Sequence, residues 1–246
     1  MELTECKLEF SLFKNSETAV PVIIVAAGSS SRMNGIDKQF LMLDGIPVIA
    51  RTLMAFENNP LISNIILVTR EENIPKMQIL AEKFAVSKLT DTVCGGNSRE
   101  ESVLCGLKRV SKQCESVLIH DGARPLVSAA VISGVVSALK EFPAVTCAVP
   151  VKDTIKRVDE NKTVIETPNR SSLYAVQTPQ GVHIEEFLSA AKKAGESISG
   201  FTDDMSVMEA AGYPVHITEG SYKNIKITTP EDIIPAEYML GSETEE

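Results

Sequence analysis

Apolar β-branched runs and helix-spaced apolar stripes alternate along this chain from Val20 to Val149, and that alternation leaves few folds open. Val20–Ala26 reads as a strand covered on both faces, because its apolar residues stand side by side rather than at every second position. Pro47–Glu57 follows, with Ile49, Leu53 and Phe56 on one helical stripe behind an opening proline. The same patterns predict strands at Asn64–Thr69, Leu89–Val93, Ser116–Ile119 and Ala144–Val149. They predict helices at Pro75–Phe84, at Arg99–Val110 and around Ile132, Val135, Val136 and Leu139. A βαβ series of this kind predicts an α/β fold with a mostly parallel sheet and helices on both faces. Such sheets take their ligands at the C-terminal ends of the strands.

The rhythm breaks between Lys152 and Pro179. Thr154–Val158 and Thr163–Thr167 flank the polar turn Asp159-Glu-Asn-Lys162 and read as a β-hairpin. A lone two-stranded hairpin is marginal in water, so either its own sheet or a second subunit must brace it. Helices are expected again at Ile184–Ala194, at Thr202–Ala211 with Thr202 as N-cap, and at Pro230–Leu240, with a strand at Pro214–Thr218. Gly212 sits where a helix C-terminus wants a glycine. No linker divides the chain. The expected organisation is an extension over residues 1–19, a single domain over 20–240 and a disordered tail over 241–246.

The net charge of −9 over 246 residues argues against nucleic acid as a partner. Any anionic substrate must then meet a local cluster of cations. The longest apolar runs are too short to span a bilayer, and residues 1–18, with four glutamates and two lysines, lack the basic start and continuous apolar stretch of a signal peptide. Five scattered cysteines without a C-x-x-C pair suit reduced thiols. These features together predict a cytoplasmic protein that binds neither membrane nor nucleic acid.

Two stretches carry chemistry. In the first, Val22-Ile-Ile-Val-Ala-Ala-Gly-Ser-Ser-Ser-Arg-Met33, a strand ends in small residues and opens into a hydroxyl-rich loop, with Lys38 a few residues on. Small residues let a ligand approach the backbone closely, and the cations suit phosphates. In the second, Val117-Leu-Ile-His-Asp-Gly-Ala-Arg-Pro125, a strand delivers Asp121 at its C-terminal end. A carboxylate there can hold ribose hydroxyls or a magnesium ion. Arg124 can bind a substrate phosphate or fix Asp121. His120 reads as a structural hydrogen-bonding residue, and His183 and His216 have no metal-ligand spacing.

The order of residues in the first stretch, continued by Asp37-Lys38-Gln39, resembles the opening of sugar-nucleotide and alditol-nucleotide transferases. Ser30 stands where those have a second loop glycine and Asp37 where they have proline. The His120-Asp-Gly-Ala-Arg-Pro125 stretch narrows the resemblance to the 2-C-methyl-D-erythritol 4-phosphate cytidylyltransferases of non-mevalonate isoprenoid synthesis. Gly95-Gly-Asn-Ser-Arg-Glu-Glu-Ser-Val103, Lys152-Asp-Thr-Ile-Lys156, Pro168-Asn-Arg170, Gln177-Thr-Pro-Gln180, Thr202-Asp-Asp204 and Asn224-Ile-Lys-Ile-Thr228 extend it in order. Each motif alone is weak, and their ordered co-occurrence is specific.

The resemblance implies a Rossmann-like nucleotidyltransferase sheet with a protruding β-hairpin arm over 152–179 that joins two copies into a homodimer. It implies CTP and methylerythritol phosphate as substrates and Mg²⁺ as cofactor. Ala26, Ala27, Gly28, Gly96, Asn97 and Ser102 would line the cytidine pocket. Arg32, Lys38 and Lys226 would surround the triphosphate as the catalytic set, and Asp121 would lie near ribose and metal. Arg124, Thr154, Arg170, Thr178 and Thr202 would handle the polyol phosphate. The chemistry is attack of a phosphomonoester oxygen on the α-phosphorus of CTP. It needs alignment and charge cancellation but no covalent catalyst and no general base, which suits a site rich in Lys, Arg and Thr. Two other readings share parts of this pattern: a cytidylyltransferase for another polyol phosphate such as ribitol 5-phosphate, and a non-catalytic nucleotide sensor.

Overall fold

The β-branched runs pair into one sheet, because strands apolar on both sides are stable only with a layer of helices over each face. The structure, a computed structural model, describes residues 19–28 and 37–241. Its strands are β1 (Val20–Val25), β2 (Met42–Leu43), β3 (Ile46–Pro47), β4 (Ile62–Thr69), β5 (Leu89–Cys94), β6 (Ser116–Asp121), β7 (Ala144–Pro150), β8 (Arg157–Val158), β9 (Val164–Glu166), β10 (Tyr174–His183) and β11 (His216–Glu219). The helices are α1 (Val48–Glu57), α2 (Ile74–Lys83), α3 (Arg99–Leu107), α4 (Ala129–Ala138), α5 (Ile184–Ala194), α6 (Asp204–Ala210) and α7 (Ile233–Gly241). Among the described residues seven strands form the main sheet, in the order β11-β7-β10-β6-β1-β4-β5.

Consecutive residues of each central strand serve opposite cores. Val22 and Ile24 of β1, Ile65 and Leu67 of β4 and Leu118 of β6 pack with α1, α2 and α4. Ile23, Ile66, Val68, Val117 and Ile119 pack with α3, α5 and α6. The β1–β4, β1–β6, β4–β5 and β7–β11 pairs are parallel, as the βαβ pattern predicts. The register brings the C-terminal ends of β1, β4, β5 and β6 to one edge, with Val25 opposite both Val68 and Asp121.

The largest departure from the sequence reading is β10, which lies antiparallel between β6 and β7. No apolar periodicity announces it, because Gln177, Thr178 and Gln180 occupy its buried positions. Each is satisfied by a hydrogen bond: Gln177 to the Ser221 carbonyl, Thr178 to the His120 ring, and Gln180 to the Asp203 carboxylate. The ladder to β7 breaks between Val176 and Gln180, which accommodates Pro179 inside the sheet.

Smaller corrections follow from hydrogen bonds. The cap of α6 is Asp203, not Thr202; its carboxylate accepts from Ser206 N at 3.0 Å and the Ser206 hydroxyl answers its own N–H. The expected final helix begins as a 3₁₀ turn, Pro230–Asp232, and Gly241, expected in the tail, ends α7. The β8–β9 hairpin is present but shorter than expected. The expected extension, apart from Ala19, and the tail from residue 242 lie outside the described residues.

Candidate active site

The small residues ending β1 have a geometric purpose. Ala26 N continues the ladder to Val68 O at 2.7 Å, and Gly95 N bonds Thr69 O at 2.8 Å. A Cβ on Gly95 would stand 2.6 Å from both the Ala27 Cβ and the Ser102 hydroxyl, so only glycine lets the ends of β1 and β5 meet. Among the described residues, no atom lies within 4 Å of where a Cβ on Gly28 would be. The following loop is tied to the start of α3. Gly96 N donates to the Ser102 hydroxyl (3.1 Å), Asn97 N donates to the Glu101 carboxylate (2.8 Å), and Ser102 donates to Ser98 O (2.8 Å). Ser98 caps α3 through Glu101 N. Ser102, nearly fully buried, therefore holds this loop from beneath.

Asp121 ends β6 and gathers cations from three segments. Lys226 Nζ lies 2.7 Å from its carboxylate, Arg99 Nε 3.4 Å and Arg124 Nε 3.6 Å. Burial works to raise the pKa of this carboxyl, but the charges of Arg99, Lys226 and Arg124 together outweigh it and hold the group well below the usual carboxylate range. Arg99 also bonds Asp204, which is 0% exposed, at 2.8 Å. Burial disfavours the Arg99 charge, yet Asp204 and Asp121 hold its guanidinium firmly protonated. Complete burial pushes the Asp204 carboxyl above its ordinary range despite Arg99. Arg99 Nη1 and Asp204 Oδ1 are buried and have no hydrogen-bond partner among the described residues. Arg99, Arg124 and Lys226 thus converge on two buried carboxylates in a chain that is acidic overall.

The Lys226 segment is a loop held from both sides. Arg124 Nη1 donates to Asn224 O (2.7 Å), Asn224 Nδ2 to Thr178 O (2.8 Å) and Ile227 N to Ala123 O (2.8 Å). Ile227 packs with Leu43, Val48, Ala123 and Ala236. Lys38 opens a 3₁₀ turn, Lys38–Phe40, and the next residue, Gln39, packs against Gly122 beside Asp121. Arg32 and Ser30 lie outside the described residues.

His120 is buried behind this cluster and has a defined tautomer. Its Nε2 faces the Arg124 carbonyl at 3.2 Å; a carbonyl only accepts, so Nε2 carries the proton. Its Nδ1 accepts from the Thr178 hydroxyl (3.0 Å), which itself accepts from Asp121 N (3.1 Å). Burial lowers the imidazole pKa to about 3, so His120 is a neutral brace and not an acid or base at working pH. Between pH about 6.5 and about 4 the unfolded chain protonates residue 120 and the native state does not. Stability therefore falls as pH falls through that window, by up to about 1.4 kcal/mol per pH unit from this group. Urea-unfolding free energies measured across it should slope less in His120→Gln than in the parent. Equal slopes would mean that His120 is not held neutral.

The structure thus brings Asp121, Arg124, Lys226 and Thr178 together through bonds, and gathers Ala26, Ala27, Gly96, Asn97 and Ser102 where β1 meets β5. Thr154 and Arg170 stand apart on exposed arm segments, with Arg170 Nη1 on the Lys152 carbonyl at 2.7 Å. Thr202 is exposed, two residues before Asp204. Sequence reasoning passed over Arg99, Asp204 and Asn224 as site-builders. All three lie inside quoted motifs, but nothing in the sequence says that Arg99 and Asp204, 105 positions apart, touch. No three His, Cys, Asp or Glu side chains gather as a metal site among the described residues. A magnesium ion needs few protein ligands when phosphates supply the rest, and the Asp121 carboxylate fits that requirement.

The sequence matches the family model described as IspD, 2-C-methyl-D-erythritol 4-phosphate cytidylyltransferase, over residues 20–242. It is 44% identical to the 2-C-methyl-D-erythritol 4-phosphate cytidylyltransferase of Clostridium botulinum over 220 residues, 89% of this chain and 96% of the relative. It is 45% identical over the same shares to the Bacillus mycoides protein of that name. The fold is similar to the crystal structure of 4-diphosphocytidyl-2C-methyl-D-erythritol synthase from Anaerococcus prevotii, with a TM-score of 0.81 and 34% identity over 91% of this chain and 96% of that one. The cytidylyltransferase from Thermus thermophilus follows at a TM-score of 0.73 and 29% identity, covering 90% and 98%.

Proposed function

The chain belongs to the 2-C-methyl-D-erythritol 4-phosphate cytidylyltransferase family, and from that premise we propose how its residues divide the work. The reaction moves CMP from CTP to 2-C-methyl-D-erythritol 4-phosphate, giving CDP-methylerythritol and pyrophosphate. The observation that carries the assignment of roles is the cation cluster on Asp121, at the C-terminal end of β6 beside β1.

Cytidine sits against Ala26, Ala27 and Gly28 and on the Gly96–Asn97 loop, whose shape Ser102 sets. With Gly96 N and Asn97 N committed inside the loop, its carbonyl oxygens are what it offers a base, which suits the amino group of cytosine. Arg32, Lys38 and Lys226 take the triphosphate. Arg124 and Thr202 take the polyol phosphate together with Thr154 and Arg170; Thr178 has one lone pair left after bonding His120 and Asp121 N. Nucleophile and electrophile are both anions, and one opposite-charge contact at about 4 Å contributes roughly 4 kcal/mol at an effective dielectric of about 20, before desolvation. Several cations are therefore required. The attacking phosphate oxygen is already ionised near neutral pH, which fits a neutral His120. Asp121 would hold Mg²⁺ together with phosphate oxygens, and the ion would offset phosphate charge.

Thr154 and Arg170, on exposed arm segments, would serve the neighbouring subunit's site. Ile155, Val158, Val164 and Ile165 of the arm are exposed apolar side chains, and a second copy of the chain would cover them. The free thiols of Cys94, Cys105, Cys114 and Cys147 support a reducing, cytoplasmic setting.

Pyrophosphate release is the direct test. With CTP and Mg²⁺, methylerythritol 4-phosphate should support turnover at least about tenfold above ribitol 5-phosphate, and CTP should outrun UTP and ATP, a discrimination within reach of a few hydrogen bonds. Equal rates with ribitol 5-phosphate would remove the polyol roles given to Thr154 and Arg170.

A further inference from the structure

Lys38 is carried by a 3₁₀ turn of three residues, and so short a turn has little stability of its own. Its flanking residues supply what it lacks. On one side, Asp37 Oδ1 accepts from Gln39 N at 3.1 Å and closes the turn as a side-chain cap. The other oxygen, Oδ2, is clasped by Arg70 Nη2 at 2.5 Å and by Asn73 Nδ2 at 2.8 Å. Arg70 directly follows β4, whose residues Ile65 to Val68 are fully buried, and it is steadied from behind by Glu72 at 3.0 Å. Asn73 is buried. The clasp therefore joins the turn to the buried end of β4. On the other side, Gln39 is 2% exposed, and its Oε1 lies 3.1 Å from where a Cβ on Gly122 would stand. Residue 39 is thus pressed against the strand end that carries Asp121.

We infer that Asp37 is a positioning residue for Lys38: its carboxylate, held by Arg70 and Asn73, fixes the backbone from which the lysine reaches the triphosphate. The residue before Lys38 is tied to β4 and the residue after it is packed on β6, so the direction of the lysine stem is set by both neighbours. Asp37 has a φ of −77°, within the range a proline ring would impose. Where the resembling pattern restrains this position covalently, the chain restrains it with a side-chain clasp. This inference rests on the reading of Lys38 as a phosphate-binding cation.

A double-mutant cycle separates positioning from mere stability. Asp37→Ala and Arg70→Ala should each lower kcat about tenfold, since misplacing a catalytic group by about 1 Å costs up to about 10²-fold, while KM for the polyol phosphate stays within about twofold. In a Lys38→Ala background, Asp37→Ala should lower kcat no further, although the fall in Tm it causes is the same in both backgrounds. An unchanged kcat in Asp37→Ala, or an equal loss with and without Lys38, overturns the clasp as a positioning device. A Lys38→Ala variant of full activity overturns the phosphate role of Lys38, and with it the clasp. Loss in Lys38→Ala alongside a silent Asp37→Ala rejects the clasp and leaves that role standing. Arg70→Ala keeps the test decisive if Asp37→Ala is poorly folded, because it opens the same clasp from the β4 side.

Discussion

Lys226→Ala is expected to lower kcat by about 10²-fold or more, the usual effect of removing one preorganised donor from a site where charge develops. The ammonium stands 2.7 Å from Asp121 and is delivered by a loop whose neighbours are fixed: Asn224 by Arg124 and Thr178, Ile227 by the packed cluster around Val48. The fold survives the change for an electrostatic reason. Asp121 keeps Arg99 and Arg124, so no buried carboxylate is left alone, and the Lys226 side chain is itself 35% exposed. The loss in stability should stay below about 1 kcal/mol, as for a partly solvated pair. Steady-state kinetics beside thermal unfolding would separate the two effects. A variant with the parent kcat would remove Lys226 from the catalytic set, and a collapse of Tm would mean that its pair with Asp121 is chiefly structural.

A still larger contrast is expected from mixed dimers. Lys226→Ala and Arg170→Ala should each be nearly inactive as homodimers. If the arm serves the neighbouring subunit, each site combines the sheet edge of one chain with Arg170 of the other. In a heterodimer of the two variants one site then carries both lesions and the other carries none. Random pairing makes about half the dimers mixed, so roughly a quarter of parental activity returns when sites act independently. If Arg170 serves its own chain, every site in the mixture keeps one lesion and nothing returns. The geometry motivates the first outcome: Arg170 bonds the Lys152 carbonyl beside an exposed hairpin bearing Ile155, Val158, Val164 and Ile165. No recovery in heterodimers verified by mass would return Arg170 to its own subunit and leave the apolar hairpin to another partner.

Local rules made the parallel part of the sheet legible. The strands expected at Val20–Ala26 and Asn64–Thr69, found at Val20–Val25 and Ile62–Thr69, and the helices after them were visible because burial on both faces requires uninterrupted β-branched runs and 3.6-spaced stripes. The ends of those strands were visible as well: Ala26, Gly28 and Asp121 mark themselves by size and charge. β10 was hidden for the opposite reason. Its buried positions are filled by Gln177, Thr178 and Gln180, and polar residues are stable there only because partners at Ser221, His120 and Asp203 complete their hydrogen bonds. No local window contains those partners.

By itself, then, the sequence determined the α/β class, the strands that carry the site and the motifs that identify the family, since each rests on periodicity or on residues adjacent in the chain. Only the tertiary structure decided which charges meet. Arg99 and Asp204 become one buried pair, Asp121 becomes the hub of three cations, Asp37 reaches Arg70, and His120 becomes a neutral brace. The physical reason is that the energy of a charge depends on its burial and on neighbours a few ångströms away. Apart from Arg124, three residues from Asp121, those neighbours lie 22 to 105 positions apart and are set by how the strands are ordered in the sheet, which no pattern of adjacent residues encodes.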